Sequence, residues 1–235
     1  MSKREEMRRR RQAQTRQRQL AVIGVIVVIA FVTVGWLIYQ NSRPIGEFVT
    51  VPTEEYLLAS GKSLGQADAP IAILVFSDFQ CPFCGVLATS TEEQVIETFV
   101  STGQARLEYR HFIVVDGNVG GSESRDAAEA SECAAEQGQF WNYHNFVFGN
   151  QQGEGRGAFA DRRLKAFAEA IGLDMTQFNA CYDSNRYAGA VRSDEALGTQ
   201  MGVTSTPSVF INGYRMDNPL DMAEYERVIS AQLQQ

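Results

Sequence analysis

One stretch, from Ile71 to Gly85, most constrains what this chain can fold into. Residues 71–76 are continuously apolar, as in a strand buried on both faces. Cys81-Pro82-Phe83-Cys84 follows, and from Pro82 onward Val95, Ile96, Phe99 and Val100 recur at helical spacing. Pro82 suits a first helical turn, where its missing N–H costs nothing, and Gly103 is a plausible stop. The stretch therefore reads as a strand feeding a helix, with two cysteines at the junction. A helix start offers unpaired N–H groups and partial positive charge, which favour a thiolate. Cys81 is expected to be the exposed, reactive sulfur, and Cys84, one turn deeper, its shielded partner.

Other uses of such a pair fit poorly. Zinc wants four ligands; there is one C-x-x-C, and His111 and His144 have no metal-like spacing, so no metal is expected. A purely structural bridge would close a ring too short to constrain the unfolded chain.

The N-terminus supplies the setting. Residues 20–39 carry no charge, and at about 1.5 Å per residue a helix of that length crosses a hydrocarbon core of roughly 30 Å. Trp36 and Tyr39 mark its far end, as interfacial aromatics do. Residues 1–19 hold eight Lys/Arg against Glu5 and Glu6, a net of +6, so a whole-chain charge of −7 leaves −13 on the other 216 residues. Basic residues stay on the cytoplasmic side, which predicts a single-pass cell-membrane protein with its body outside. No small-x-small site follows the apolar run, so an uncleaved anchor is expected. An acidic body argues against nucleic acid as a partner.

The predicted organisation is a basic tail over 1–19, a transmembrane helix over 20–39, a tether over 40–60 with Pro44, Gly46 and Pro52, and one domain over 61–235. Residues 105–115 read as a second strand, which makes strand–helix–strand and a parallel pair. Helices are expected over 122–137, 140–148, 164–171, after Asp174, and across Tyr187 to Met201. Asp174 and Gln177 read as a capping box. Residues 208–212 and 214–216 form a hairpin about Asn212-Gly213, and a helix over 221–233 closes the chain. Cys133 and Cys181 lie on separate helices, 48 positions apart; in an exported domain a structural disulfide is expected, with buried free thiols as the alternative. The aromatic set Phe140, Trp141, Tyr143, Phe146 and Phe148 reads as helix core.

Three strings together resemble a known family: residues 64–70 (LGQADAP), residues 75–84 (VFSDFQCPFC) and residues 202–213 (GVTSTPSVFING). They are similar to the DsbA-like thioredoxin-fold thiol-disulfide oxidoreductases, membrane-anchored bacterial members above all. The resemblance spans about residues 61–233. It implies an α/β thioredoxin fold with a helical insertion, here about 116–201. It makes Cys81 and Cys84 the redox pair and Pro207 the family's cis-proline beside that pair. Thr206, with Pro82 and Phe83, would hold an extended substrate. There are two departures. Phe83 stands where the best-known oxidase has histidine, and it can give the Cys81 thiolate neither a hydrogen bond nor charge. The strand before the motif carries no acid; Asp78 reads as a solvated or capping residue, and Glu108 is a weak candidate for proton transfer to Cys84.

The expected function is a membrane-tethered dithiol oxidase that introduces disulfides into exported cysteine-containing proteins. No cofactor motif appears, and the resemblance implies reoxidation by a quinone-linked membrane partner of the DsbB or VKOR type. A reductase or isomerase of the same fold is the alternative, and a thiol-independent chaperone or peptide-binding module is the alternative of another class.

Overall fold

A computed structural model describes residues 3–42 and 45–234. Arg43 and Pro44 of the expected tether lie outside the described residues, as do Met1, Ser2 and Gln235, and so do the side chains of the basic run before Arg16. The chain divides into two compact units, Met1–Gly46 and Glu47–Gln235. In the first, helix α1 spans Lys3–Ser42. Its segment Arg18–Trp36 is long and apolar enough to be a candidate membrane span.

The second unit is built on a six-stranded sheet. Its strands are β1 (Ala59–Ser60), β2 (Ser63–Leu64), β3 (Ile71–Ser77), β4 (Ala105–His111), β5 (Ser208–Ile211) and β6 (Tyr214–Arg215), in the order β1-β2-β4-β3-β5-β6. β3 and β4 are parallel, with Val75 opposite Tyr109 and Ser77 opposite His111; β5 runs antiparallel to β3 on its other side. Apolar residues on both faces of β3 follow from helices covering both faces of the sheet. Between β3 and β4 lies α2, residues 82–100. It is α-helical over Pro82–Val86 and Glu92–Val95 and π-helical over Leu87–Thr91 and Ile96–Val100. Then come α3 (Val115–Val119), α4 (Glu123–Ala135), α5 (Phe140–Phe148), α6 (Asp161–Ala170), α7 (Met175–Tyr182), α8 (Ala188–Gln200) and, last, α9 (Met222–Leu233).

Two clusters fill the unit. The larger one joins α2, the inserted helices and one sheet face, with Ile73, Tyr109, Phe140, Phe146 and Phe167. The smaller one, on the other face, holds Phe76, Phe210 and Val203 under α8. α8 comes this close because Gly198 is bare: a Cβ there would lie 2.6 Å from the Phe112 ring. A disulfide joins Cys133 of α4 to Cys181 of α7, with Cα atoms 5.8 Å apart.

Three expectations need revision. The second strand was to reach Val115, but it ends at His111. The Asp78 carboxylate accepts the Val114 and Val115 N–H groups, each at 2.9 Å, and draws the chain out of the sheet into α3. The Asp174 capping box is half formed. Asp174 accepts from Thr176 and Gln177 N–H, but its own N–H donates to Gln137, and the Gln177 side chain donates to the Asp174 carboxylate instead. Residues 47–58, read as tether, pack onto the unit. Phe48 sits edge-on to Phe146 and Phe167, the Asn150 amide brackets the Val49 backbone, and that of Asn142 brackets Glu54. The apolar Phe48 and Val51 mark this strap in the sequence.

Candidate active site

β3 delivers the chain to the motif. After Ser77, the buried Asp78, Phe79 and Gln80 turn it, and Cys81 takes the N-cap position of α2 with extended backbone (φ −68°, ψ 122°). Pro82 follows inside the first turn, and Gly85 N–H donates back to the Cys81 carbonyl at 3.1 Å. Both thiols are free. Cys81, expected to be exposed, is buried at 7% exposure because the Thr206–Pro207 segment lies against it; it is still the less enclosed of the two, with Cys84 at 1%. Phe83, at 63% exposure, and Val86 stand on the open surface beside them. From the other side comes the cis peptide Thr206–Pro207, with the Thr206 carbonyl oxygen 3.4 Å from the Cys81 sulfur, whose thiol form donates to it.

The surroundings split the two acidities. A hydrogen bond from the Cys84 thiol lowers Cys81 to about 6, helped by the Thr206 side chain and the N–H groups of Phe83 and Cys84, against the opposing effect of burial. Cys84 is raised by burial and by its place next to the Cys81 sulfur, although the Asp78 N–H and the Ser77 hydroxyl act the other way. The pair therefore holds one thiolate outside and one thiol inside at neutral pH.

The inserted region grips this junction. The Gln151 amide donates to the carbonyls of Phe79 at 2.6 Å and Cys81 at 3.0 Å, and it lies where a side chain on Gly85 would have to go. Gln80 donates to Asp116 and Ser124 and accepts from Gly155 N–H. Phe79 stacks on Tyr109 with centroids 5.6 Å apart and meets the tilted Phe148 ring at 4.9 Å, so the expected aromatic helix core reaches the motif through Phe148. Neither glutamine was singled out from sequence. A polar residue at the apolar exit of β3 was the signal for Gln80; Gln151, in a glycine-rich loop, gave none.

Other expectations shift. Asp78 is buried, not solvated, and its carboxylate is spent on backbone N–H groups of Gln80, Val114 and Val115. Glu108 lies beside Arg106 and Arg110, on the opposite side of β4 from Tyr109 and hence from Cys84. His111 and His144 are both buried. His111 joins Glu132 at 3.3 Å, and Lys62 pairs with Glu132 at 2.6 Å and with Asp194. This set of His111, Glu132 and Asp194 could group around a cation, but the Lys62 ammonium already serves its two carboxylates.

Comparisons with known proteins agree with this architecture. A sequence profile described as thioredoxin matches residues 59–231. Among solved structures, oxidised BdbD from Bacillus subtilis superposes with a TM-score of 0.68 at 23% identity, covering 75% of this chain and 94% of that one. DsbA from Chlamydia trachomatis gives 0.64 at 20%, covering 81% and 98%. Among curated sequences, the Na(+)/H(+) antiporter NhaA 3 of Salinispora tropica is 33% identical over 67% of this chain, and NhaA 1 of Mycobacterium sp. (strain KMS) 31% identical over 90%. This chain spans only 22% and 34% of those two proteins. With its profile match across most of the chain and a paired-cysteine helix start facing a cis-proline, the chain belongs to the thioredoxin family, and its fold is similar to that of the DsbA-type proteins.

Proposed function

We propose that this protein is a membrane-tethered dithiol oxidase acting outside the cytoplasm, with Cys81 and Cys84 as its redox pair. The observation that carries the reading is the stabilised Cys81 thiolate. It exists only in the reduced protein, so it favours the state in which the pair has accepted electrons. A Cys81 pKa of about 6 favours the reduced form at pH 7 by about 1.4 kcal/mol, and by nearer 1 kcal/mol after allowing for solvent at its exposed edge. For a two-electron couple that raises the potential by roughly 20–30 mV.

In the reaction, a substrate thiolate attacks the Cys81 sulfur of the oxidised pair. The Cys81–Cys84 bond breaks, a mixed disulfide forms, and Cys84 leaves with the electron pair. A second substrate thiolate attacks the substrate sulfur of the mixed disulfide, and Cys81 leaves as its stabilised thiolate. Pro82, Phe83, Thr206 and Pro207 frame the open side of Cys81, where an extended substrate segment would lie. Substrates are exported proteins with cysteines, and reoxidation falls to a quinone-linked membrane partner of the DsbB or VKOR type. Residues 20–39 would anchor the protein with its basic end in the cytoplasm. Ion transport by the antiporter relatives belongs to proteins of which this chain matches about a third or less.

Equilibration of the catalytic pair in glutathione redox buffers tests the reading. The expected potential lies clearly above the thioredoxin value of about −270 mV. A potential at or below that value overturns the oxidase assignment in favour of a reductase.

A further inference from the structure

Between the strap and α2 lies a cavity of about 400 Å³ that neither Cys81 nor Cys84 lines. Four carboxylates line it, Glu54 of the strap and Glu92, Glu93 and Glu97 of α2, and no lysine or arginine does. Glu54, Glu93 and Glu97 are exposed, and a cluster of exposed acids needs no ligand. Glu92 is different. It is 4% exposed, and among the described residues its carboxyl has no hydrogen-bond partner. The polar group behind it supplies no donor. The Asn145 amide donates to the Tyr56 hydroxyl at 2.9 Å, which leaves the Asn145 side-chain oxygen facing His144 Nδ1 at 2.8 Å and puts the ring proton there. His144 Nε2 is then a buried acceptor with no donor, 3.6 Å from the Glu92 carboxyl and past hydrogen-bond reach. A buried carboxyl without a donor is costly, and the open side of this one is the cavity.

We propose that the cavity is a binding site for a free aliphatic polyamine, with one ammonium on Glu92 and the others among Glu54, Glu93 and Glu97. The thiol pair plays no part in it. An ammonium carries three donors and no acceptor, which suits a lining of carboxylates. A metal ion would need donor atoms converging on a point. Among the described residues one set of three lies within 4.8 Å, His111, Glu132 and Asp194, and none of these lines the cavity. Carboxylates spread around a cavity instead match charges spread along a chain. Ala88 and Ile96 offer apolar surface to the methylenes, and about 400 Å³ is within the usual range for small-ligand sites. The net charge of −13 over residues 20–235 favours the approach of a polycation.

Binding is coupled to a proton. Burial raises the Glu92 carboxyl to about 8, with Glu93 adding to the effect, so at pH 7 it is protonated. An ammonium beside it favours the carboxylate, and the displaced proton goes to solvent. The histidine and tyrosines facing Glu92 keep their charge state near neutral pH. Burial holds His144 of α5 down at about 4, and it raises Tyr56 of the strap, Tyr109 of β4 and Tyr225 of α9. Glu54, Glu93 and Glu97 line the same cavity as negative charge.

The test is isothermal titration of the full-length protein in neutral detergent with spermidine, between about pH 6 and pH 8.5 and in two buffers of different ionisation heat. One saturable site is expected, about tenfold tighter at pH 7 than at pH 6 and level above pH 8, with about one proton released per site at pH 7. Glu92→Gln should abolish the proton release and weaken binding at pH 8.5 by about tenfold or more, because a charge-assisted hydrogen bond is lost. Glu54→Gln should weaken it about two- to fivefold and keep the proton release. Asp68→Asn, at an exposed acid that does not line the cavity, should change nothing. Affinity that is flat from pH 6 to pH 8, or unchanged in Glu92→Gln, assigns binding to the exposed carboxylates alone and overturns the proposal, as does a titration that never saturates. Calcium chloride at matched ionic strength that binds as tightly, with the same proton release, overturns it in favour of a metal site. Should Glu92→Gln fail to fold, the wild-type pH profile and Glu54→Gln decide in the same terms.

Discussion

Replacing Cys84 with alanine tests the source of the Cys81 acidity. The largest cause of the lowered Cys81 pKa is the thiol of Cys84, so Cys84→Ala should move it up from about 6, while the helix-start N–H groups and Thr206 keep it below an ordinary cysteine. At pH 7 a thiol of pKa about 6 is about nine-tenths ionised, and one of pKa about 8.5 about 3% ionised, so the ceiling on the change is roughly thirtyfold. Alkylation rate is a poor readout. A thiolate of higher pKa is the better nucleophile, and over 2.5 units a Brønsted slope of about 0.4–0.5 returns roughly ten- to twentyfold, nearly cancelling the loss of ionised fraction. Ultraviolet thiolate absorbance against pH avoids this compensation. The wild type should show one transition near pH 6, and Cys84→Ala one transition displaced to higher pH. An unmoved midpoint would show that the inner thiol is not what holds the outer one ionised. The same titration fixes a stability effect. A group depressed in the folded state contributes fully above its unfolded pKa and loses that contribution as pH falls through its folded one. The reduced wild type should thus lose this stabilisation between about pH 9 and pH 6, and the oxidised protein should not.

Two further outcomes follow from the grip on the motif and the buried charges. Gln151→Ala removes two hydrogen bonds to the Phe79 and Cys81 carbonyls, and at roughly 0.5–1.5 kcal/mol each it should cost about 1–3 kcal/mol in urea unfolding; an unchanged midpoint would dismiss the loop as a clamp. Lys62→Met takes the shared ammonium from Glu132 and Asp194, leaving His111 beside the first and Arg110 on the second, and should cost about 3 kcal/mol at pH 7, the low end for a broken buried pair. Burial would raise Glu132, but His111 and Lys62 hold it down at about 2. That stabilisation is present above the ordinary carboxylate pKa and lost as pH falls towards 2, so wild type and variant should converge between about pH 4.5 and pH 2. A gap independent of pH would assign the loss to packing instead.

The parts of the fold legible in the sequence are those set by local periodicity. The β3 run, the β5–β6 hairpin with Asn212 and Gly213 both at positive φ, and the Asp174 cap need only neighbours a few residues away. The exit of the second strand was not legible, because a carboxylate 36 residues earlier sets it. The thiol pair showed itself as a motif, but its supports did not. Asp78, Gln80 and Gln151 act across the insertion, and no spacing rule connects them. The burial of Glu92 was legible too. Cys84, Ala88, Glu92, Val95 and Phe99 form one helical stripe, and an acid on a buried stripe is the kind of exception that asks for an explanation.

The strap over residues 47–58 bears on where this protein can be cut. A fragment trimmed to the start of the family match at residue 59 would keep every described strand and both Cys81 and Cys84. It would also strip Phe48 from Phe146 and Phe167, leave the Asn142 and Asn150 amides without their backbone partners, and unroof the cavity beside Glu92. Asn150 adjoins Gln151, so the same cut would loosen the loop that holds the turn into Cys81. The smallest faithful fragment therefore begins at Glu47, twelve residues ahead of the first strand.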